Sequence, residues 1–426
     1  PVTTRHPLIV LLIFLTFFVI SFITNILGPL VPDIIEGFDL SLALAGFLPF
    51  SFFVAYGVMS IPAGILLERY REKRIIVAAF LLAFAGSLWF ASSPTYVVAL
   101  ASLFLIGVGM TMLQVAINPL LRAAGGEEHF AFNSVIGQLV FGGASFLSPF
   151  VYSYLVTRLG SDRNDSNILL DTLAPIVPDD LPWASLYWVF AAVTLVMVIV
   201  MLAVRLPDFS LSDDERAGAL QTHRDLLKNP AVIAYFFGIF CYVGSEQGIA
   251  NWISQFLATY HGFDPQVEGA RAVAWFWGLL TAGCLLGLVL LKLLDCRKVL
   301  VGFTLAAMVA LTFALFGSAD VAYVAFMLVG FFLSVMWSVI FSLALNSVAR
   351  HHGSFSGILC TGIVGGAIVS LLVGWLGDRY GLRVGMMLVY VTLGYILVIG
   401  LRAKPLVDNA TVSVGELFRS LIPGRS

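Results

Sequence analysis

The sequence predicts an all-α integral membrane protein with twelve transmembrane helices. Of its 426 residues, 60% are hydrophobic and only 11% are charged, and the mean hydropathy is +0.98. Soluble domains are nearer about 45–50% apolar and about 25% charged. The apolar residues form long continuous runs rather than the short alternating segments of a membrane barrel, so the membrane-spanning elements are expected to be helices.

A spanning helix needs about 20 mainly apolar residues, and the chain contains twelve such runs, which fall into two sets of six. They lie near 7–31, 42–67, 74–92, 95–121, 129–157, 183–204, 230–260, 267–291, 298–317, 320–347, 354–377 and 384–401. A hydrophilic stretch separates the two sets. The predicted organisation is a first six-helix half over 1–205, a cytoplasmic linker over 206–229, a second six-helix half over 230–403 and a cytoplasmic tail over 404–426.

Positive charges predict the orientation of the chain. If the amino terminus is inside, 18 lysines and arginines fall on the inner side and 5 on the outer side. Loops on the cytoplasmic side carry the excess of these residues. Both termini are therefore expected to be cytoplasmic, in a multi-pass protein of the plasma membrane (the inner membrane if the source is bacterial). The first apolar run is too long for a cleavable signal peptide and is interpreted as the first span.

Several classes of function are disfavoured by the sequence. The net charge is −2 and no basic patch stands outside the loops, which argues against nucleic-acid binding. The four cysteines show neither metal-ligand spacing nor a disulfide framework. No loop carries a nucleophile–base set, an HExxH motif or a P-loop. We therefore expect no enzyme, no resident cofactor, and a monomer surrounded by membrane lipid.

The two sets of helices show signs of an internal repeat. Gly64 in PAGILLERYREKR and Gly287 in LGLVLLKLLDCRK lie 223 positions apart. FGGAS at 141–145 matches VGGAI at 364–368 with the same offset of 223. Parallel repeats related by an axis along the membrane normal are typical of a transporter with two pseudo-symmetric halves.

The segment GILLERYREKR, which follows the second span, resembles a family signature. In outline the cytoplasmic signature of the major facilitator superfamily reads Gly-x-x-x-Asp-Arg-x-Gly-Arg-Lys, and here Glu68 stands in the place of Asp and Arg71 in the place of Gly. Glycine permits close contact between helices. The resemblance implies the major facilitator fold and a conformational latch, and its predicted residues are Gly64, Glu68, Arg69 and Arg74.

One acidic residue, Glu246, lies well inside a predicted span. It belongs to CYVGSEQGIANW at 241–252. A charge at the centre of a bilayer costs about 2.5–3.5 kcal/mol on insertion scales, so intramembrane acids usually have a function. Tyr242 precedes Glu246 by four residues and shares its helix face. We expect a cation-coupling site formed by Glu246, Asn25 and Asn251.

Amide and aromatic residues within the spans predict a sugar site. Gln247 and Asn251 share one helix face, as do Gln114 and Asn118 on the fourth span. Amides donate and accept hydrogen bonds, which suits sugar hydroxyls, and an aromatic face suits a pyranose ring. A lone amide can equally join two helices, and a lone tryptophan can belong to the core or the membrane interface. The predicted substrate-binding residues are Gln114, Asn118, Gln138, Gln247, Trp275, Trp277 and Trp337.

These motifs carry a more specific resemblance. FCYVGSEQGIANW resembles the Y-V-G-A-E pattern in the seventh span of the bacterial glucose/galactose transporters and of the sodium-dependent glucose transporters. LQVAINP at 113–119 is similar to the Q-V-A-A-N-P of the glucose/galactose group, and IFSLAL at 340–345 resembles their tenth span. The same sugar branch includes the fucose–proton symporter. Its acids in spans four and one correspond here to Gln114 and Gly28, so the resemblance leaves Glu246 as the coupling candidate.

The predicted function is secondary active transport by alternating access: cation-coupled symport of a monosaccharide such as glucose or galactose. A buried glutamate can carry a proton alone, whereas sodium needs several converging oxygens. The resemblance slightly favours sodium, in which case Glu246 would be a ligand of the transported Na⁺. The alternative is a proton-coupled antiporter that exports another small solute.

Overall fold

The computed structural model describes residues 7–125, 130–160, 167–205, 220–348 and 351–404. Within these ranges all regular secondary structure is helical. The α-helices are α1 (Pro7–Thr24), α2 (Leu27–Phe38), α3 (Leu42–Arg69), α4 (Glu72–Ser92), α5 (Tyr96–Gly125), α6 (Phe130–Gly160), α7 (Ile168–Leu173), α8 (Ser185–Ala203), α9 (Leu220–Leu226), α10 (Pro230–Ala250), α11 (Ile253–His261), α12 (Ala270–Leu293), α13 (Cys296–Phe316), α14 (Ala319–Leu333), α15 (Met336–Leu345), α16 (His352–Thr361), α17 (Gly365–Tyr380) and α18 (Leu382–Arg402).

Within the described ranges, twelve helical segments are long and apolar enough to cross a membrane, in agreement with the predicted number. Numbered as spans 1 to 12, they are Pro7–Phe38, Leu42–Leu67, Glu72–Ser92, Tyr96–Ile117, Asn133–Gly160, Pro182–Ala203, Pro230–Ala250, Pro265–Leu293, Cys296–Phe316, Ala319–Leu345, Gly353–Tyr380 and Leu382–Arg402. The chain is a multi-pass membrane protein of two six-helix halves. Most of the predicted linker and tail lies outside the described residues, so the domain boundaries stay a prediction.

Several spans are discontinuous, and spans 1 and 7 are interrupted at related places in the two halves. Span 1 breaks at Asn25 and Ile26, between α1 and α2. Pro29 explains this break, because proline has no N–H to bond the carbonyl four residues earlier, and that carbonyl belongs to Asn25. The α10 helix of span 7 ends at Ala250, and α11 continues from Ile253. The sequence predicted one uninterrupted run over 230–260; the structure divides it at Asn251.

The halves contact each other through spans 2 and 11 and through spans 5 and 8. We call the side where α1 begins and α18 ends the terminal face, and the opposite side the distal face. At the distal face the halves touch directly, since a Cβ atom built on Gly374 would lie 2.4 Å from the carbonyl oxygen of Leu42. Polar side chains nearer the terminal face, including Gln138 and Ser342, are exposed. The structure is a distal-closed conformation.

Candidate functional site

The carboxyl group of Glu246 accepts a hydrogen bond at each of its oxygens. The Tyr242 hydroxyl donates to Oε2 at 2.5 Å, and Nε2 of Gln247 donates to Oε1 at 3.2 Å. Tyr242 is buried, whereas Glu246 is only half-buried. The i, i+4 spacing on α10 brings the tyrosine and the acid together, as the sequence predicted. The carboxyl group is thus held in one orientation within the protein interior.

Gln247 connects this carboxyl group to the opposite half of the protein. Its Nε2 lies 3.5 Å from Oδ1 of Asn25, which stands at the break in span 1. Its Oε1 accepts from Nδ2 of Asn251 at 3.4 Å, at the end of α10. Asn251 also donates to Ser370 of span 11 at 3.2 Å. The three amides are buried, so a polar cluster crosses the boundary between the halves where two helices are interrupted.

Asn25 is anchored on its own half by two serines. Its Nδ2 donates to Ser145 Oγ at 2.8 Å, and the hydroxyls of Ser145 and Ser21 are 2.5 Å apart. The sequence prediction missed Ser21, Ser145 and Ser370. Small residues are common wherever membrane helices approach closely, so no local pattern separates these serines from ordinary packing positions. The one sequence signal near these positions is the repeated FGGAS segment at 141–145, of which Ser145 is the last residue.

A second carboxyl group lies between the halves, nearer the distal face. Asp33 of span 1 is 7% exposed. It accepts from the Tyr152 hydroxyl at 2.5 Å and from Nε2 of Gln266 at 3.1 Å. Tyr152 belongs to span 5 and Gln266 to the beginning of span 8. This contact was not predicted, because the three residues are far apart in sequence and each is near the end of its span.

Among the described side chains, Gln114 and Gln138 form no hydrogen bond with the Gln247 cluster. Gln114 is half-buried, and its Oε1 accepts from the Tyr56 hydroxyl of span 2 at 3.1 Å. The side chain of its predicted partner Asn118 lies outside the described part of the chain. Gln138 is exposed on span 5. The structure therefore adds no contact between these residues and Glu246.

The three predicted tryptophans occupy different environments. Trp337 is half-buried beside the Glu246 site, with its ring 6.1 Å from that of Tyr242. Trp277 is 4% exposed, and its indole N–H has no hydrogen-bond partner within the described part of the chain. Trp275 is 43% exposed and packs edge-to-face on Phe146 at the seam of spans 5 and 8.

Trp275 is therefore an exposed residue, and its predicted role in substrate binding stays a prediction. Helical periodicity aligns it with the exposed side chains of Leu286 and Val289 on span 8. An exposed apolar stripe of this kind on a membrane helix is typical of a lipid-facing surface. The sequence could not distinguish it from Trp277, which is only two residues along but points inward.

The predicted latch after span 2 is only partly described. The Arg69 guanidinium lies 5.9 Å from the ring of Tyr70, and Arg74 is exposed. The side chain of Glu68 lies outside the described part of the chain, and Gly64 is half-buried. The latch role of these four residues stays a prediction.

A polar cluster at interrupted helices, between two six-helix halves, defines a class of protein. Secondary transporters place their substrate and coupling ion at such discontinuities near the middle of the membrane. The fold and the site thus define a membrane transporter. The model of the Major Facilitator Superfamily matches residues 13–363, and the chain belongs to this superfamily.

Curated relatives and solved structures agree with this assignment. A protein named glucose/galactose transporter from Brucella abortus biovar 1 (strain 9-941) is 30% identical over 91% of this chain and 92% of its own length. The L-fucose-proton symporter of Escherichia coli (strain K12) is 25% identical over 86% of each chain. These relatives are transporters rather than enzymes, as expected from the sequence.

Two solved structures share the fold at low sequence identity. A bacterial homologue of the human lysosomal transporter Spinster, inward-facing and unoccupied, has a TM-score of 0.77 and 15% identity, covering 93% of this chain and 97% of that chain. The transporter FucP, in the outward conformation, has a TM-score of 0.67 and 21% identity, covering 93% and 98%. The predicted major facilitator fold is confirmed.

The structure gives a physical reason why Gly28 carries no acidic side chain. The backbone of span 1 meets the end of α10 here, and a Cβ atom built on Gly28 would lie 2.3 Å from the carbonyl oxygen of Ala250. A residue with a Cβ atom cannot fit at this distance without a shift of the backbone, so only glycine is accommodated. Gly28, which the resemblance aligned with an acid, therefore lies where the backbones of span 1 and α10 are in direct contact, and there is no room for an acidic side chain.

Proposed function

We propose that this protein is a cation-coupled symporter of a monosaccharide of the glucose or galactose type. It would reside in the plasma membrane with both termini in the cytoplasm and work by alternating access. The observation that carries the proposal is the cluster of Glu246, Gln247, Asn25 and Asn251 across the two halves. The relative named glucose/galactose transporter supports the choice of substrate.

The cluster has the chemistry that a sugar requires. Each amide side chain offers donors and an acceptor, and sugar hydroxyls need both. In the distal-closed structure the amides bond to one another, at distances of 3.4 and 3.5 Å. These are long hydrogen bonds, near the limit of useful geometry. A bound hexose would exchange them for shorter bonds to its hydroxyls, with the ring of Trp337 available to cover an apolar face.

We propose the proton as the coupling ion, in place of the sodium that the sequence slightly favoured. A sodium ion needs oxygen lone pairs directed at it, whereas Glu246 receives a hydroxyl donor and an amide donor. A charge in this interior is costly, and a bound proton removes it. A relative is named L-fucose-proton symporter, which supports the same choice.

The geometry suggests how the proton and the sugar are coupled. An ionised carboxylate accepts at both oxygens, but a protonated one uses one O–H as a donor. Protonation of Glu246 would therefore release either the Tyr242 hydroxyl or the Gln247 amide. Once its hydrogen bond to Glu246 is broken, the Gln247 side chain can donate to a sugar hydroxyl instead, and its hydrogen bond to Asn25 is then lost as well. Proton binding and sugar binding then favour the same arrangement, which is a coupling free energy between two sites.

The test is uptake of labelled glucose and galactose into proteoliposomes under an inward proton gradient, an inward sodium gradient or neither. Accumulation driven by the proton gradient supports the proposal, and accumulation driven by sodium restores the ion favoured by the sequence. Glu246→Gln should abolish accumulation but retain exchange, while Glu36→Gln, at an exposed glutamate near the end of span 1, should behave like the parent. If no hexose moves or competes under any gradient, the sugar assignment fails and proton-coupled export of another solute becomes the leading hypothesis.

A further inference from the structure

The distal end of span 11 carries a second version of the family signature. The segment GWLGDRYGLR at 374–383 follows the outline Gly-x-x-x-Asp-Arg-x-Gly, with its acid as aspartate and its last basic position as Arg383. It lies on the face opposite to the GILLERYREKR segment after span 2.

Asp378 in this segment binds the beginning of span 2, in the other half of the protein. Its Oδ1 accepts from the backbone N–H of Leu42 at 2.7 Å, and its Oδ2 accepts from that of Ala43 at 2.8 Å. These are the first two residues of α3. The first N–H groups of a helix have no partner within the helix, and the helix dipole favours an anion there. The hydroxyl of Ser41, from the same half as α3, accepts from the N–H of Leu44 at 3.2 Å.

The rest of the segment fixes Asp378 in place. Gly374 lets span 11 approach the Leu42 carbonyl closely. Gly381 turns the chain at φ +90°, a conformation that side-chain-bearing residues rarely adopt. The Arg383 guanidinium lies 4.6 Å from the ring of Tyr260, so the beginning of span 12 is tied to α11 of the same half. Asp378 is thus positioned by contacts within the second half, and its carboxylate points toward the beginning of span 2 in the first half.

Internal symmetry relates this contact to the latch predicted from the sequence. In major facilitator proteins each half consists of two inverted three-helix repeats, so the middle helices, spans 2 and 11, are equivalent but run in opposite directions. The predicted latch lies at the end of span 2 on the terminal face. The segment 374–383 is its counterpart at the end of span 11 on the distal face.

We propose that residues 374–383 form a distal latch, in which Asp378 stabilises the distal-closed state by capping span 2. The two hydrogen bonds join the halves and must break before the distal face opens. Asp378 is therefore a positioning residue of the transport cycle, and it contacts neither Glu246 nor the amide cluster. The proposal does not depend on which solute or which cation is transported.

The distal latch can be tested by measuring the distance between the halves. Spin labels at Ser93→Cys and Ser318→Cys, both exposed at the distal face, would be attached to the full chain in nanodiscs, with the four native cysteines replaced by serine. Asp378→Ala should raise the ratio of distal-open to distal-closed molecules roughly 2- to 30-fold, the range expected for loss of a helix N-cap. Asp320→Ala, which removes an exposed acid elsewhere on the same face, should leave the ratio unchanged.

A second pair of variants removes the donor instead of the acceptor. Leu42→Pro deletes the N–H that Asp378 binds, at a first-turn position where proline is tolerated, and Ser41 before it is already extended at ψ 163°. Leu42→Ala removes the same side chain but keeps the N–H. A larger distal-open fraction in Leu42→Pro than in Leu42→Ala supports the latch. Unchanged distances in both Asp378→Ala and Leu42→Pro, relative to their controls, would overturn it.

Discussion

The Tyr242 hydroxyl donates a 2.5 Å hydrogen bond to Oε2 of Glu246, one turn further along the same membrane helix. A buried acid without a donor would be an unpaired charge in a medium of low polarity. Here the partner comes from the acid's own helix, so it stays in place when the halves move. The contact between Gln247 and Asn25 joins the two halves and does not have this property. We therefore expect the Tyr242–Glu246 contact to persist, and the Gln247–Asn25 contact to break, when the halves move.

The Tyr242 hydroxyl is expected to contribute to coupling. A hydrogen bond to a charged group is worth about 1.5–3 kcal/mol, so Tyr242→Phe should lower gradient-driven accumulation by roughly 10-fold or more while exchange changes less than about 2-fold. The measurement is uptake and exchange in the same proteoliposomes. Tyr395→Phe is the matched control, because its hydroxyl binds the Ala234 carbonyl away from Glu246. An equal loss of accumulation in Tyr242→Phe and Tyr395→Phe would show that the Tyr242 hydroxyl contributes only to folding and not to coupling.

The contact of Gly28 with the end of α10 predicts a position that tolerates no side chain. Gly28→Ala would place a methyl group 2.3 Å from the Ala250 carbonyl oxygen, and overpacking of this kind costs about 1–3 kcal/mol. Because the contact joins the halves, we expect a lower thermal-unfolding midpoint and a smaller distal-closed fraction. Gly143→Ala is the control, since nothing lies within 4 Å of its Cβ position. Equal midpoints for the two variants would contradict the prediction.

The Asp33–Tyr152 pair is expected to be energetically coupled. A double-mutant cycle with Asp33→Asn and Tyr152→Phe should give an interaction free energy of about 1–3 kcal/mol, the range for residues sharing one buried hydrogen bond. The measurement is the free energy of unfolding in a mixed-detergent titration. The same cycle with Tyr154→Phe, two residues along span 5, should give a value near zero. A vanishing coupling for Asp33 and Tyr152 would show that the hydroxyl is satisfied elsewhere.

Asp295, in the short loop before span 9, is expected to make stability depend on pH. Hydrogen bonds from Arg297, at 2.7 Å from its backbone N–H and 2.8 Å from its guanidinium, hold the pKa of this carboxyl below its usual value. Because the folded-state pKa is the lower one, the stabilisation is present above the unfolded pKa and is lost as the pH falls below about 4. Asp295→Asn should therefore lower the unfolding midpoint at pH 7, and its difference from the parent should shrink as the pH falls below about 4.

The control for this comparison is Asp320→Asn, an exposed acid at the first turn of α14. It should change the midpoint less than Asp295→Asn at pH 7. If the difference between Asp295→Asn and the parent does not shrink at all as the pH falls below about 4, the carboxyl does not stabilise the fold through its charge.

The sequence by itself determined the fold class, the twelve spans, the superfamily and the prominence of Glu246. Each of these depends on local or composition-level quantities: the length of apolar runs, a repeat offset, and the cost of placing one acid in lipid. The Tyr242–Glu246 and Gln247–Asn251 relations were also readable, because an i, i+4 spacing on a helix is a local geometric rule.

Only the tertiary structure decided what lies opposite these residues. The contacts of Gln247 with Asn25, of Asn251 with Ser370 and of Asp378 with Leu42 join residues more than a hundred positions apart. Their partners are amides, serines and backbone N–H groups, which occur throughout membrane helices and carry no pattern of their own. Trp275 and Trp277 differ by only two positions, yet the first is exposed and the second is buried. Side-chain direction and helix packing settle such differences, and the packing of one half against the other settles which conformation is observed.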